Sequence, residues 1–500
     1  MSSNIVLLII ALYFAVIFLV TWFTTRQKSA NENQAFFTGA RKSPWWVVAI
    51  AMIGTSISGV TFISVPGMVA GTQFSYLQMV LGFTTGYFVI AYVLLPLYYR
   101  LNLSSIYGYL EQRFGPKAYR TGALFFLLSK FLGCGVRMYL TALVLQLVLF
   151  DNLGIPFGLN VAVTMLVVYL YTFKGGVKTL VWTDMLQTLS LIAAVVLCIY
   201  YMCRTMGLNA TGLWNTIADS EMSRTWFFDD ALDKRYFWKQ FLAGVFTTVS
   251  MTGLDQDMMQ KNLSCKNLHD AKKNVISYGF GFLPVNILFL ALGILLYKFA
   301  AEIGLSVSKP DELFPAIATG SAPDGTPYLP IVVGVLFILG LIAAAFSSAG
   351  SAVTALTTSI TIDMLQAPKK QNEEQLRQTR MRVHIVNCLA MGLLIYLFRV
   401  IGSGSVINAV YIIASYTYGP LLGLYLFGLY TKRSSRDSWI PYICVISPLI
   451  CLLLSQNSEA WFGGYQIGFE LLLYNAAFTA LGLWLSSLNY DGGHRDACAS

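Results

Sequence analysis

Residues 54–62 read GTSISGVTF, inside an apolar run that extends over residues 45–70. The run is long enough to cross a bilayer as a helix, which takes about 20 apolar residues. Its middle, where a plain span carries Leu, Ile and Val, holds Gly54, Thr55, Ser56, Ser58, Gly59 and Thr61. Glycines weaken a helix, and unpaired backbone at membrane depth survives only where it is buried in protein or lines a watery cavity. One reading is a discontinuous helix that holds a cation and a solute. The other is close helix packing through Gly54 and Ser58, a small-xxx-small pair. On this stretch alone both readings stand.

The surrounding chain settles the class. It is 56% hydrophobic and 11% charged, with a mean hydropathy of +0.63, which excludes an ordinary soluble domain. Apolar runs follow one another and predict an all-α polytopic membrane protein of about thirteen transmembrane helices. They cover residues 5–25, 45–70, 75–99, 121–150, 156–173, 180–203, 238–258, 274–300, 328–366, 380–400, 405–430, 438–455 and 467–487. The first is too long for a signal-peptide core and stays a span. A net charge of +9 does not indicate nucleic acid here, because the basic residues gather in alternate loops. Arg26, Lys28, Arg41 and Lys42 follow the first span, and Arg100, Arg113, Lys117 and Arg120 the third. Lys261, Lys266, Lys272 and Lys273 are read as the loop after the seventh. The positive-inside rule then places the N-terminus outside and the C-terminus in the cytoplasm. The eight cysteines and three histidines show no metal or redox spacing, and no catalytic constellation is visible, so an enzyme is not expected.

Spans two to six and seven to eleven form two equal sets, and an odd number of crossings inverts the second on the first. The seventh span opens the second set and carries Thr247, Thr248, Ser250, Thr252 and Gly253. Interrupted helices at matching places in two halves point to a transporter's binding site. The ninth span reads LIAAAFSSAGSAVTALTTSITIDML over residues 341–365. Its hydroxyls recur three and four apart on one face; they serve either packing or a hard cation, which takes oxygen ligands. Charged groups inside spans cost about 2.5–3.5 kcal/mol each at a helix centre and are functional candidates. Asp184 is read as one turn into the sixth span, either a dipole-stabilised helix start or a cation ligand. Arg137, two turns beyond Lys130, needs a carboxylate, carbonyls or an anionic solute. Asp255 and Asp257 are read as gate or loop contacts, GSGS at residues 402–405 as a tight turn, Gly419-Pro420 as a kink, and Asn209-Ala210-Thr211 as a glycosylation sequon.

Five segments, taken together, resemble the sodium:solute symporter family: GTSISGVTF, YGYLEQRFG (107–115), FKGGVKTLVWTDMLQ (173–187), LDQDMMQK (254–261) and AAAFSSAGSAVTALTTSITIDM (343–364). The resemblance runs from about Phe37 to Tyr430 and implies the leucine-transporter-type 5+5 inverted repeat with an extra N-terminal helix. On that basis the chain is one integral-membrane domain over residues 1–500. Residues 5–25 are the extra helix, 45–203 the first repeat, 238–430 the second, and 438–487 two peripheral helices. It implies Na+-coupled symport of a small organic solute (sugar, sugar acid, amino acid or vitamin) by alternating access in the plasma membrane. Carried over by position, Na+ meets the carbonyls of Gly54, Ile57 and Ala344 and the hydroxyls of Ser347 and Ser348. A second sodium position falls at Asp184, Ser347, Gly350 and Ser351, where Gly350 departs from the family's serine. Solute contacts fall at Ser56, Ser58 and Thr61, with Arg137, Thr248 and Thr252 as further candidates. Val80 stands where sugar and sialate carriers place a polar group, and Gly133 where sialate carriers place arginine, so neither solute is indicated. The expected partners are the solute, sodium and the bilayer, with no nucleic acid and no obligate protein. The competing readings are a proton-coupled carrier, for which Asp184 is the one clear intramembrane acid, and a solute sensor. Only residues 489–500 follow the last span, so a fused signalling domain is not expected.

Overall fold

The computed structural model describes residues 3–26, 32–401 and 406–488. Lys28, the 402–405 turn and the tail 489–500 lie outside the described residues. In chain order, α1 is Ser3–Arg26, α2 Trp45–Ser56, α3 Gly59–Thr72, α4 Tyr76–Val89, α5 Pro116–Leu145, α6 Phe157–Thr172, α7 Gly176–Thr205 and α8 Phe237–Thr248. Then follow α9 Gln256–Asn262, α10 Leu268–Glu302, α11 Ile331–Ser359, α12 Glu373–Ile401, α13 Val406–Tyr430, α14 Ile440–Trp461 and α15 Leu471–Ser487. Among the described residues, nine helical runs are long and apolar enough to cross a membrane. One of them, Gly59–Arg100, is divided at Gln73, where φ is 55° and ψ −146°. The shorter apolar helices α2, α6 and α15 and the α8–α9 segment fill the remaining positions of the hydropathy count.

The helices sort by burial. Almost every residue of α11 beyond Gly340 is buried, and α10 is buried along most of one side. On α1, Leu8, Leu12, Leu19 and Phe23 are exposed, as are Tyr442, Val445 and Leu449 on α14. That pattern gives a core of α2, α3, α7, α10 and α11, with apolar outer faces suited to lipid. Small residues set the closest crossings. On α4, a Cβ at Gly82 would lie 2.1 Å from the Phe241 carbonyl oxygen of α8, so the two backbones nearly touch.

Two details differ from expectation, and a third gives a sequon residue a structural role. The α7 helix begins at Gly176, so Asp184 lies two turns inside it and is no helix-start carboxylate. Lys261 is not a loop residue: it sits in α9 and is 1% exposed. Asn209 caps the helix Ala210–Ala218, its Oδ1 accepting the Gly212 N–H at 2.7 Å.

Candidate functional site

The α2–α3 span is broken at Ile57 and Ser58. Ile57 has φ −82° and ψ 90°, Ser58 φ −84° and ψ 174°, both extended. The helical ladder stops where Ile57 N–H donates to the Ile53 carbonyl and resumes where Phe62 N–H donates to the Ser58 carbonyl. Between them, the carbonyls of Gly54 and Ile57 receive no hydrogen bond from the described residues. The stretch is both broken and closely packed, at different residues. Gly54 is a packing glycine, since a Cβ there would lie 2.0 Å from Thr188 Oγ1 on α7. The break falls three residues later. α11 packs against both halves, and its Ser347 hydroxyl is fully buried with no hydrogen-bond partner. Bare carbonyls and an orphaned hydroxyl are oxygen donors of the kind a hard cation takes, and left empty they are costly.

The α8–α9 segment is interrupted too. A wide turn over Val249–Gly253 leads to Leu254 and to an extended Asp255 (φ −103°, ψ 120°). Here the freed groups find protein partners. Tyr98 OH donates to the Gly253 carbonyl at 2.9 Å and Tyr107 OH to the Leu254 carbonyl at 3.0 Å. Asp255 Oδ1 caps α9 by accepting the Asp257 and Met258 N–H groups, as an N-cap aspartate does. Lys130 Nζ of α5 pairs with Asp255 Oδ2 at 3.2 Å and with Asp257 Oδ2 at 2.7 Å. Tyr418 OH of α13 donates to Asp255 Oδ2.

A cavity of about 120 Å³ lies between the two breaks. Ser56, Ser58, Thr61, Arg137, Thr248 and Thr252 all line it, as does Ser348. Arg137 follows Lys130 by seven residues, two turns on one face of α5, or about 10 Å along the helix. Their surroundings differ. Among the described residues no carboxylate lies within ion-pair distance of Arg137, and its guanidinium makes no hydrogen bond. Phe83, Tyr87, Tyr278 and Phe282 provide an aromatic wall, with the Tyr87 and Tyr278 ring centroids 4.5 Å apart. Tyr278 OH is bonded to Ser56 Oγ and accepts from Tyr87 OH at 2.7 Å. Tyr76 and Tyr411, whose hydroxyls are 3.2 Å apart, complete the lining beyond them.

Asp184 is held apart from this cavity, completely buried. Its Oδ2 accepts from Lys261 Nζ at 2.6 Å, Ser351 Oγ at 2.8 Å and Thr55 Oγ1 at 3.3 Å. Lys261 is the residue that sequence reasoning missed. The only signal available was its place eight residues after Gly253, and hydropathy reads that as membrane exit. Among the described residues no group of three or more His, Cys, Asp or Glu side chains could hold a metal ion.

The family model of the sodium:solute symporter family matches residues 36–438. The chain belongs to that family. This symporter is 27% identical over 451 residues to human sodium-coupled monocarboxylate transporter 1, covering 87% of this chain and 69% of that one. It is 24% identical over 491 residues to the sodium/sialic acid symporter of Aliivibrio fischeri, covering 94% and 91%. Its fold is that of a substrate-bound, outward-open Na+-coupled sialic acid symporter, with a TM-score of 0.80 at 20% identity over 97% of this chain and 98% of the other. The architecture is therefore the leucine-transporter type, and the protein is a multi-pass, Na+-coupled solute symporter.

Proposed function

We propose that this symporter carries a small carboxylate together with Na+. The observation that supports it is Arg137: a guanidinium on the wall of a polar cavity, beside a broken helix, with no carboxylate partner. A half-buried arginine inside a span needs a partner, and its planar guanidinium binds a carboxylate by two parallel charge-assisted hydrogen bonds. The cavity has room for roughly eight to twelve water-sized groups, which favours a short acid over a long one. Its aromatic wall favours an apolar tail. The relatives' names, one a monocarboxylate carrier and the other a sialic acid carrier, agree on the carboxylate. Sodium would lie at the carbonyls of Gly54, Ile57 and Ala344 and the hydroxyls of Ser347 and Ser348. Alternating access would come from the 45–203 and 238–430 repeats moving about the two breaks. The setting would be a plasma membrane, with the N-terminus outside, the C-terminus in the cytoplasm and no obligate protein partner.

The test is uptake into proteoliposomes under an imposed Na+ gradient, comparing monocarboxylates and sugar acids with neutral sugars and amino acids. Carboxylates should accumulate and neutral solutes should not. Hydrogen bonds to charged groups contribute about 1.5–3 kcal/mol, so Arg137→Gln should raise the carboxylate KM about 10- to 150-fold. Apparent sodium affinity should change less than about twofold. Equal transport of a neutral sugar by wild type and Arg137→Gln would overturn the anion reading.

A further inference from the structure

We infer that the ammonium of Lys261 is the built-in occupant of the Asp184 site, so that this symporter moves one sodium ion per solute and, with a monocarboxylate, moves no net charge. The inference rests on the sodium-symport and carboxylate reading above, and adds the ion count and the voltage response.

Two separate observations carry it. The first is the Lys261–Asp184 pair: Lys261 Nζ lies 2.6 Å from Asp184 Oδ2, with both side chains at most 1% exposed. Lys261 also donates to Thr55 Oγ1, so the ammonium joins α9 to α7 and to the first broken helix. A buried carboxylate requires a counter-charge, and here a tethered one is already in contact. A sodium ion placed beside it would face a like charge in a low-dielectric interior. The second observation concerns Gly350. A Cβ at that position would lie 2.1 Å from the Tyr171 hydroxyl. That hydroxyl is committed as a donor to the Phe346 carbonyl. A serine could not be seated at 350 without displacing Tyr171, so the missing hydroxyl reflects packing that closes the site from the α11 side. What remains for a second sodium is Asp184 Oδ1, which has no hydrogen-bond partner, the lone pairs of Ser351 Oγ, whose proton goes to Asp184 Oδ2, and Ser347 Oγ, which the proposed first site also uses.

The consequence is electrical. One sodium and one monocarboxylate sum to zero charge, so uptake follows the sodium gradient and ignores membrane potential. A second sodium would add one positive charge per cycle and make uptake steeply voltage-dependent.

The test counts bound ions directly, using radioactive sodium on purified wild type, Lys261→Met, Lys261→Arg, Asp184→Asn and the double variant Lys261→Met/Asp184→Asn. Uptake is measured alongside, with and without a valinomycin-imposed potassium diffusion potential. Wild type should bind one sodium and be insensitive to potential, and Asp184→Asn and Lys261→Arg should also bind one. Lys261→Met should bind two, because sodium replaces the lost ammonium, and its melting temperature should rise with NaCl but not with choline chloride. The double variant should return to one. If Lys261→Met is not produced, the wild-type count and that of Asp184→Asn still decide. Two sodium ions in wild type, falling to one in Asp184→Asn, would overturn the inference and leave the symport reading intact. One sodium in Lys261→Met would also overturn it. No sodium in wild type would overturn both.

Discussion

The two interrupted helices break in opposite manners. At the second break the tyrosine hydroxyls of Tyr98 and Tyr107 take the carbonyls of Gly253 and Leu254, and Asp255 caps the helix that follows. At the first, the carbonyls of Gly54 and Ile57 face no donor, and the nearby Ser347 hydroxyl has no partner either. Backbone at membrane depth must be satisfied by something. The second break is closed by the protein itself and reads as structure. The first leaves oxygens that the protein itself does not satisfy, and it is there that we propose the ion. An irregular helix does not by itself point to an ion; unpaired oxygens are the stronger sign.

The largest effect on this contrast should come from Lys130→Met. Asp255 and Asp257 are 2% and 3% exposed and share the Lys130 ammonium. Removing one member of a buried ion pair costs about 3–5 kcal/mol because the remaining charge is left uncompensated. Thermal unfolding in detergent should show that loss. Lys130→Arg should recover most of it, as should Asp257→Asn added to Lys130→Met. Wild-type stability in Lys130→Met would mean that the second break is not held by this pair.

A smaller and more selective effect is expected at the first break. Ser347→Ala combined with Ser348→Ala removes side-chain oxygens and leaves the carbonyls in place. Apparent sodium affinity should fall on the order of a hundredfold, or about 2.7 kcal/mol, with solute-independent stability nearly unchanged. Unaltered sodium dependence of uptake in the double variant would remove both serines from the site.

How much of this was legible follows from where the partners lie. The break between α2 and α3 could be read because glycine and hydroxyl residues are dense in a stretch that hydropathy marks as a span. Arg137 could be singled out because a charge inside an apolar run is conspicuous without knowledge of its neighbours. Lys261 could not. The α9 sequence QDMMQKN looks like a surface, yet all of it is buried, because its polar groups are matched from far along the chain. Gln260 donates to Thr358, Lys261 to Asp184, and Asn274 to the Asn262 side chain. Hydropathy scores each residue against lipid or water and is blind to a polar partner in another helix. The same limit hides the pairing of Lys130 with Asp255 and Asp257, although each of the three stands out separately. Asp184 was misplaced for a simpler reason: the helix extends to Gly176 through residues too polar for a hydropathy boundary.

The smallest effect is the sharpest test of the contrast. Tyr98 is fully buried and its hydroxyl donates to the Gly253 carbonyl at 2.9 Å. Tyr98→Phe keeps the ring and its packing but removes the donor, leaving one carbonyl at the second break in the condition of those at the first. A buried carbonyl that loses its only partner costs about 1–2 kcal/mol, which should be visible as lower thermal stability. If a bare carbonyl were sufficient to recruit a cation, Tyr98→Phe would also gain sodium: its count of bound ions would rise, or its stability would recover in NaCl but not in choline chloride. We expect neither. A sodium ion needs several converging oxygens, and the second break offers one such carbonyl next to a carboxylate already paired with Lys130. Sodium affinity in Tyr98→Phe should therefore stay within about twofold of wild type while stability falls. A shift in sodium affinity as large as that of the paired serine substitutions would show that the two breaks are energetically linked, and that the second contributes to ion binding despite its protein-supplied partners.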